Sequence, residues 1–287
     1  MAYPLYWVII SSISAPSAVS SGKVLLHPIG FTLKGYAEVF KNDQVMRGFL
    51  NSLIITFCGV MVNLIVTLPT SYALSRSNFS GKKPITIFYL ITMFFGGGLI
   101  PTYLVIQRLQ MLNTIWALIL PGCLSVYNMI VARTFFKSNI SEELYEAAEI
   151  DGCTQARFFF QIALPLSKAI IAILVLYYGV GHWNSYFSAL VYISDKAKYP
   201  LQLVLRNILI TNQTALSQTA TTAAARAALQ EKQQLIDVMK YSLIIISSIP
   251  VLVIDNGCFQ CCRLPEHRWR PQVFSTCWHD SENRYCL

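Results

Sequence analysis

The sequence predicts an all-α protein that crosses a membrane several times, and three observations support this fold class. Of its 287 residues, 54% are hydrophobic and 13% are charged, whereas soluble domains carry about 25% charged residues. The mean hydropathy is +0.49. The apolar residues also fall into stretches of about 20 residues or more, the length that a helix needs to cross a bilayer. Most of the apolar surface is therefore expected to face lipid or other spans.

The positive charge of the chain is concentrated at the ends of these apolar stretches. The formal net charge is +8 and the pI is near 9.1, which are values that also occur among nucleic-acid-binding proteins. No basic stripe with interleaved aromatic residues occurs, however. The positive-inside rule explains the observed pattern better, so the predicted partner is the lipid bilayer and no nucleic acid.

The chain begins with an apolar segment, residues 1–14, that is too short to cross a bilayer on its own. No basic region precedes this segment, so it does not have the pattern of a secretory signal peptide. Residues 15–47 are polar and rich in turn-forming residues. We predict that they form an extracytoplasmic loop.

The first full span is predicted over residues 49–75, which hold no ionisable side chain. Asn63 lies within it and either packs against a neighbouring helix or faces a transport pathway, and both interpretations stay open. Arg76, Lys82 and Lys83 follow in a short loop. This loop is the clearest indication of a cytoplasmic side, and it sets the topology of the later spans.

The next two spans are predicted over residues 84–106 and 114–132. The first contains the glycine run 96–98, which is followed by no Gly-Lys-Ser/Thr and preceded by no strand pattern. It therefore predicts a helix break near the outer surface and no phosphate-binding loop. Arg133 and Lys137 mark the inner end of the second span, which places the following segment in the cytoplasm.

That segment, residues 139–165, carries the signals of two short helices joined by a sharp turn. Ser141 is a suitable N-cap, and the acidic residues that follow it favour a helix N-terminus. Gly152 suits the left-handed conformation that ends a helix, and Thr154 is placed to cap the second helix. Leu164 and Pro165 are expected to end the second helix, because the residue before proline is disfavoured in the helical region.

The first of these helices is predicted to present a small, acidic face to a partner, since Glu142, Glu146 and Glu149 share one side of it. The segment reads Glu-Ala-Ala, three residues, Gly, nine residues, Ile, one residue, Leu-Pro. It resembles, without a gap, the signature loop of binding-protein-dependent ABC importer permeases. The run 97–103 also resembles the carbohydrate-type members of that family. The matching residues are Glu146, Ala147, Ala148, Gly152, Ile162, Leu164 and Pro165.

The resemblance covers roughly residues 3–254 and implies a permease subunit of an ATP-driven importer for sugars or oligosaccharides in the bacterial cell membrane. It implies six spans, of which those at the two chain ends look truncated here. The cytoplasmic segment would be a coupling helix, with Glu146 and Asp151 contacting an ATPase subunit. Ala147 and Ala148 would allow close approach, and Gly152 would form the turn.

The family also implies partners, namely a second permease subunit, two ATP-binding subunits and an extracytoplasmic solute-binding protein. The chain itself would be no enzyme, and it would hold neither a cofactor nor a metal, because ATP is bound by the partner subunits. We find no phosphate loop and no Ser/His/Asp set in the sequence, which agrees with that expectation.

The span predicted over residues 168–193 is the most polar and aromatic of all, with His182, Trp183, Asn184 and Tyr186 close together. An intramembrane histidine raises the possibility of a proton relay, but no span carries a carboxylate to receive the proton. Hydrogen bonding between helices and the lining of a sugar pathway are the remaining interpretations, and neither is preferred.

Residues 195–240 are predicted to be a long outer segment, which either contacts the solute-binding protein, as the family implies, or is a plain external loop. The last span is predicted over residues 241–254, and its roughly fifteen apolar residues reach only about 22 Å. We therefore divide the chain into a permease domain, residues 1–254, and an atypical cysteine-rich tail, residues 255–287. The composition changes completely after residue 257, so the tail is expected to be an out-of-frame translation. Zinc binding is the alternative, but the spacing of Cys and His fits no standard zinc module.

Two further hypotheses compete with the importer. An ion-coupled secondary carrier predicts ionisable residues at mid-membrane and an internal repeat, but only His182 is of that kind and no repeat is found. A damaged, non-functional permease would explain the unusual chain ends. The importer and the damaged permease both account for the signature loop, whereas an ion-coupled carrier does not.

Overall fold

The structure is a computed structural model, and it describes residues 2–215 and 223–263. These residues form helices joined by short connections, with no strand in either range. Short 3₁₀ turns occur at Leu120–Gly122 and Lys196–Lys198, and a π-helical turn at Phe159–Ala163. The α-helices are α1 (Ala2–Ser12), α2 (Pro16–Ser20), α3 (Lys34–Lys41), α4 (Asp43–Ser75), α5 (Lys82–Phe94), α6 (Leu99–Arg108), α7 (Trp116–Ile119), α8 (Val126–Asn139), α9 (Glu142–Ile150), α10 (Gln155–Phe158), α11 (Leu164–Leu166), α12 (Lys168–Trp183), α13 (Tyr186–Tyr192), α14 (Leu201–Ala215) and α15 (Ala223–Arg263).

Helix α4 is the central element, and α8, α12 and α14 pack against it. Its N-terminus is capped by Asn42, whose side chain accepts hydrogen bonds from the backbone N–H groups of Gln44 and Val45. With 33 residues, it is about 50 Å long, more than the ~30 Å core of a bilayer requires. The helix begins six residues before the predicted span and ends at Ser75, as predicted.

Two described helices are long and apolar enough to cross a membrane by themselves, namely α4 and residues 234–257 of α15. Three further pairs meet the same test only when joined across a bend, which gives up to five spans among the described residues. The bends are 112° between α5 and α6, 52° between α7 with its 3₁₀ turn and α8, and 80° between Gln155–Leu166 and α12. The sequence patterns predicted the apolar stretches, but they did not predict how sharply these pairs bend.

The bend between α5 and α6 coincides with the glycine run 96–98, so the predicted helix break is confirmed. Gly98 has φ +85°, a conformation that side-chain-bearing residues rarely adopt. The span predicted over residues 168–193 is also interrupted, because α12 ends at Trp183. The side chains of Asn184 and Ser185 bond back to carbonyls of α12, at 3.1 and 2.7 Å, and so compete with continuation of the helix.

The segment predicted as an outer loop, residues 195–240, is instead largely helical. Leu201, Leu203 and Val204 of α14 are buried, and the backbone N–H of Leu201 donates to Ser52 Oγ of α4 at 2.8 Å. The prediction was wrong here because the alanine- and threonine-rich middle of the segment outweighed its apolar first turns. The last span is also longer than the predicted residues 241–254. A stretch of 24 residues in α15, residues 234–257, is long and apolar enough to cross a membrane.

The predicted boundary at residue 255 falls inside α15, which continues to Arg263. Residues 264–287, with most of the predicted cysteine-rich tail, lie outside the described residues, so the out-of-frame interpretation and its zinc alternative stay predictions. Within the described ranges, no group of three or more His, Cys, Asp or Glu side chains is placed to hold a metal ion.

Helices α1 to α3 pack against α15. Trp7 of α1 fastens this contact, because its indole N–H donates to the Val24 carbonyl at 2.8 Å and its ring meets Tyr241 edge-on at 5.1 Å. The 11 residues of α1 are only about 17 Å long, less than the thickness of the hydrocarbon core. This agrees with the prediction that the first apolar segment is too short to span.

Candidate functional site

The predicted cytoplasmic segment forms the first of its two helices, α9, as expected. Ser141 Oγ accepts the backbone N–H of Leu144 at 3.3 Å, which confirms the predicted N-cap. Glu142 and Glu143 occupy the first turn, where carboxylates are favoured by the helix dipole. Gly152 has φ +78° and ends the helix in the predicted left-handed conformation. No side chain approaches the position that a Gly152 Cβ would occupy.

The second half of the segment begins as predicted and ends differently. Thr154 Oγ1 accepts the backbone N–H of Arg157 at 3.4 Å and caps α10. The chain then forms the π-helical turn and α11, and Leu164 stays helical at φ −63° and ψ −48°. The prediction that Leu164 leaves the helical region was therefore wrong. The wide π-helical turn offers a physical reason, since it loosens the backbone just before Pro165, which itself has no N–H to donate.

The signature residues divide into an inward and an outward set. Below α9 and α10 lies an aromatic cluster in which Tyr145, Phe158 and Phe159 are buried against Tyr72 of α4. Ala148, Ile162 and Leu164 pack against this cluster. The outward set consists of Glu146, Ala147, Asp151, Gly152 and Pro165, which are exposed.

The outward surface of α9 combines acidic and apolar side chains. Ile150 is 87% exposed and Leu144 is 39% exposed, and both flank Glu146 and Ala147. Single exposed aliphatic side chains are common on protein surfaces, so Ile150 is informative only together with Leu144 and the acidic residues around it. Leu144 and Ile150 therefore lie on the outward surface of α9, and Tyr145 is the buried residue of this helix.

The loop between α4 and α5 holds α9 in place. Both carboxylate oxygens of Glu142 accept hydrogen bonds from Ser77, one from the backbone N–H at 3.1 Å and one from the hydroxyl at 2.5 Å. These two bonds, with the positive charges of Arg76 and Lys82, hold the pKa of the Glu142 carboxyl below its usual range. Glu142 is therefore tied within the chain, and the predicted acidic face offered to a partner is reduced to the residues after it.

Arg76 makes a second connection to α9, with its guanidinium carbon 3.8 Å from the centre of the Tyr145 ring. Glu149 lines a cavity of about 430 Å³ together with Arg76 and Tyr145. The sequence analysis used Arg76 only as a sign of topology, and it did not single out Ser77 or Tyr145. A long-range pairing of this kind leaves no local pattern in the sequence.

The residues proposed for a pathway occupy different environments. Asn63 is 1% exposed and donates weakly to the Gly122 carbonyl at 3.5 Å, while its Oδ1 finds no partner in the described part of the chain. Trp183 is also buried, with its indole N–H on the Ser247 carbonyl at 3.0 Å. The imidazole of His182 packs against the bare backbone of Gly59. Asn184 and Tyr186 are exposed.

A polar seam along α4 joins it to α12. Thr67 Oγ1 and Tyr178 Oη lie 2.8 Å apart in a hydrogen bond, and the Ser125 backbone N–H donates to the same Tyr178 oxygen at 3.3 Å. Next along the seam, the absence of a side chain at Gly59 makes room for the imidazole of His182. Small residues and interhelical hydrogen bonds are the usual means of association between membrane helices.

Comparison with known proteins shows which family shares this architecture. Residues 50–255 match the family model described as binding-protein-dependent transport system inner membrane component. The chain is 35% identical over 251 residues to the polygalacturonan/rhamnogalacturonan transport system permease protein YtcP of Bacillus subtilis. The aligned stretch covers 88% of this chain and 85% of YtcP. The chain is 37% identical over 251 residues to protein LplC of the same organism, over 88% of this chain and 82% of LplC.

A solved structure shows the same fold. The crystal structure of a bacterial ABC transporter involved in the import of the acidic polysaccharide alginate contains a chain that superposes with a TM-score of 0.80 at 27% identity, over 90% of this chain and 89% of that chain. The fold, the cytoplasmic segment and the family model agree with one another and do not favour an ion-coupled carrier. The chain belongs to the family of inner membrane components of binding-protein-dependent transport systems.

Proposed function

We propose that this chain is the membrane-spanning subunit of an ATP-driven importer for sugars or oligosaccharides, and that α9 and α10 form its coupling site. The relatives support the substrate class, since YtcP is named for polygalacturonan and rhamnogalacturonan transport and the solved structure for alginate import. A further relative, GanQ of Bacillus subtilis, is named for galactooligosaccharide transport and is 30% identical over 237 residues.

The proposed assembly pairs this chain with a second permease subunit, two ATP-binding subunits and an extracytoplasmic solute-binding protein. ATP binds and is hydrolysed on the partner subunits, so this chain carries no catalytic residue and no cofactor of its own. Its part is to provide half of a pathway and to convert the closure of the ATP-binding subunits into movement of the spans.

The observation that carries this proposal is the outward surface of α9. Glu146 and Asp151 supply negative charge, Ala147 leaves room for close approach, and the 87% exposed Ile150 supplies an apolar anchor. A charged rim around a protruding aliphatic side chain is typical of a protein interface. Gly152 turns the chain back toward the membrane directly after this surface.

The inward surface of the same helix explains how a push on α9 reaches the spans. Tyr145 packs on Phe158 at 5.3 Å, and the Tyr72 ring of α4 lies 5.0 Å from Phe159 and 5.7 Å from Phe136 of α8. Close-packed aromatic side chains transmit displacement because they cannot be compressed. A movement of α9 therefore moves α4 and α8 together.

For the pathway, we assign a packing role to Asn63 and Trp183, which are buried between helices in this conformation. His182 fills the space over Gly59, and we propose that it acts as a packing contact and takes no part in proton transfer. Asn184 and Tyr186 are exposed at the break between α12 and α13, and of the five candidates they are the ones placed to meet a sugar hydroxyl.

A charge reversal tests the coupling site. Glu146→Lys in the assembled transporter, reconstituted in proteoliposomes with its binding protein, should abolish substrate-stimulated ATP hydrolysis while leaving membrane insertion and thermal stability unchanged. Asp43→Lys is the control, because it makes the same change in charge at the N-terminal end of α4, far from α9. It should keep the stimulation. Full stimulation in the Glu146→Lys transporter would remove the coupling role from α9.

A further inference from the structure

A small basic cavity lies where α4, α8 and α9 meet, on the side predicted to be cytoplasmic. Its volume is about 220 Å³. Three cationic side chains and one carboxylate line it, and three serine residues and Tyr72 surround them. The charged lining residues are Arg76, Lys82, Lys137 and Glu142. The basic cavity is distinct from the outward surface of α9, which carries the proposed coupling site.

Two of the three cations have donors to spare. The guanidinium of Arg76 stacks on the Tyr145 ring but donates no hydrogen bond to the part of the chain that the structure describes. The Lys137 ammonium group forms neither a hydrogen bond nor an ion pair there. Lys82, by contrast, already donates to the carbonyls of Arg76 and Ser77, at 3.3 and 3.2 Å.

The carboxylate in the lining compensates only one of the three positive charges. Both oxygens of Glu142 accept hydrogen bonds from Ser77, and no ion pair joins it to a cation within the described ranges. Three positive charges thus face one negative charge, which leaves two positive charges in excess. The unused guanidinium and ammonium donors suit an anion with several oxygens.

The hydroxyl of Tyr72 is a second, independent sign of a missing acceptor or donor. Tyr72 is 8% exposed and lines both the basic cavity and the neighbouring cavity of about 430 Å³, and its buried oxygen has no hydrogen-bond partner in the described residues. Buried hydroxyl groups are satisfied in the great majority of cases. An oxygen-rich ligand in the basic cavity would supply the partner.

The size and position of the basic cavity favour a phosphate that belongs to a lipid. Its volume is below the ~300–1,000 Å³ of sites that enclose whole small molecules. It lies at the C-terminal end of α4, beside the first residue of α5. Helix α5 has no buried residue and turns Ile87, Phe88 and Ile91 outward. Acyl chains along α5 would place their headgroup at Lys82, the first residue of that helix.

We propose that the basic cavity binds the phosphate headgroup of an anionic phospholipid from the cytoplasmic leaflet. Arg76 and Lys137 bind the phosphate oxygens, Lys82 adds positive charge, and the Tyr72 hydroxyl donates to one oxygen. Basic pockets between membrane helices on this side are suited to anionic headgroups. Since Arg76 also packs on Tyr145, the bound lipid would help to hold α9 against α4.

The test measures retention of phosphatidylglycerol by the purified, assembled transporter, titrated in nanodiscs of otherwise zwitterionic lipid and read by native mass spectrometry. Lys137→Gln should weaken retention about fivefold, which corresponds to the ~1 kcal/mol that one basic residue contributes near a membrane. Tyr72→Phe, which keeps the ring, should weaken it as well. Lys83→Gln changes the neighbouring exposed lysine, which does not line the basic cavity, and should have no effect.

Three results would overturn the proposal. An equal loss with Lys83→Gln would mean that diffuse surface charge retains the lipid. Displacement of phosphatidylglycerol by millimolar glycerol 3-phosphate would mean that the site takes a soluble phosphate. Retention unchanged by Lys137→Gln and Tyr72→Phe in the assembled transporter would mean that the basic cavity is not the place where the lipid binds.

Discussion

Replacing Gly59 with alanine would place a methyl group where the imidazole of His182 already lies. A Cβ built on Gly59 falls 2.5 Å from Nε2, 2.6 Å from Cδ2 and 2.8 Å from Cε1 of that ring. Carbon contacts are most favourable at about 3.5–4.0 Å, so the ring must move by about 1 Å or the helices must separate. Either change disturbs the closest approach of α4 and α12.

The expected cost follows from two opposing effects. Overpacking of this kind costs about 1–3 kcal/mol, while alanine gains roughly 0.5–1 kcal/mol over glycine within a helix. The net expectation is a destabilisation of up to about 2.5 kcal/mol. Gly181→Ala is the matched control in α12, since nothing lies within 4 Å of its added Cβ, and it should stabilise by the helical gain alone.

A double-mutant cycle isolates the contact. In the Gly59→Ala, His182→Ala protein the ring is gone, so the methyl group has room and the added cost of the Gly59 change should disappear. The free energy of unfolding is measured in mixed micelles, by tryptophan fluorescence, for the parent subunit, the two single variants and the double variant. If the two changes are additive within about 0.3–0.5 kcal/mol, the close contact between Gly59 and His182 does not exist in the folded protein.

Three further changes test the cytoplasmic segment and the polar seam. Glu142→Gln should lower the melting temperature near pH 7, and the difference in melting temperature from the parent should disappear as the pH falls below 4.5. The reason is that a carboxyl with a depressed pKa stabilises the fold only while it is ionised. A difference independent of pH would contradict the charged bond to Ser77. Gly152→Asn should keep stimulated ATP hydrolysis and Gly152→Pro should abolish it, because asparagine can adopt φ +78° and proline cannot. Equal ATPase activities of the two variants would refute this reasoning. Tyr178→Phe should cost about 0.6–1.7 kcal/mol through the lost bond to Thr67, and a smaller loss, due to the bond from the Ser125 N–H, should remain in a Thr67→Val background. An undiminished loss there, measured by unfolding in micelles, would show that the bond to Thr67 is absent.

The local features of the cytoplasmic segment could be predicted from the sequence because they depend on neighbouring residues. The N-caps at Ser141 and Thr154 and the left-handed turn at Gly152 each follow from short-range chemistry, and the structure confirms all three. Leu164 was the exception. The preference of a residue before proline is weak enough for the π-helical turn and the packing around it to override it.

The anchoring of that segment could not be predicted, because it depends on residues far apart in the chain. Glu142 and Ser77 are 65 positions apart, and nothing in either local sequence marks them as partners. The same reason explains why α14 was taken for an external loop. Its apolar residues are buried by α4 and α15, and only the folded arrangement shows which faces meet.

The central claim is that the outward surface of α9 lies against an ATP-hydrolysing subunit. The direct measurement is disulfide or short-linker cross-linking from Ala147→Cys, in a background whose native cysteines are replaced, within the assembled transporter. A cross-link to the ATP-binding subunit is expected, with Ala197→Cys, exposed on the predicted outer side, forming none. Absence of that cross-link, or labelling of Ala147→Cys by an impermeant reagent added outside the cell, would contradict the claim.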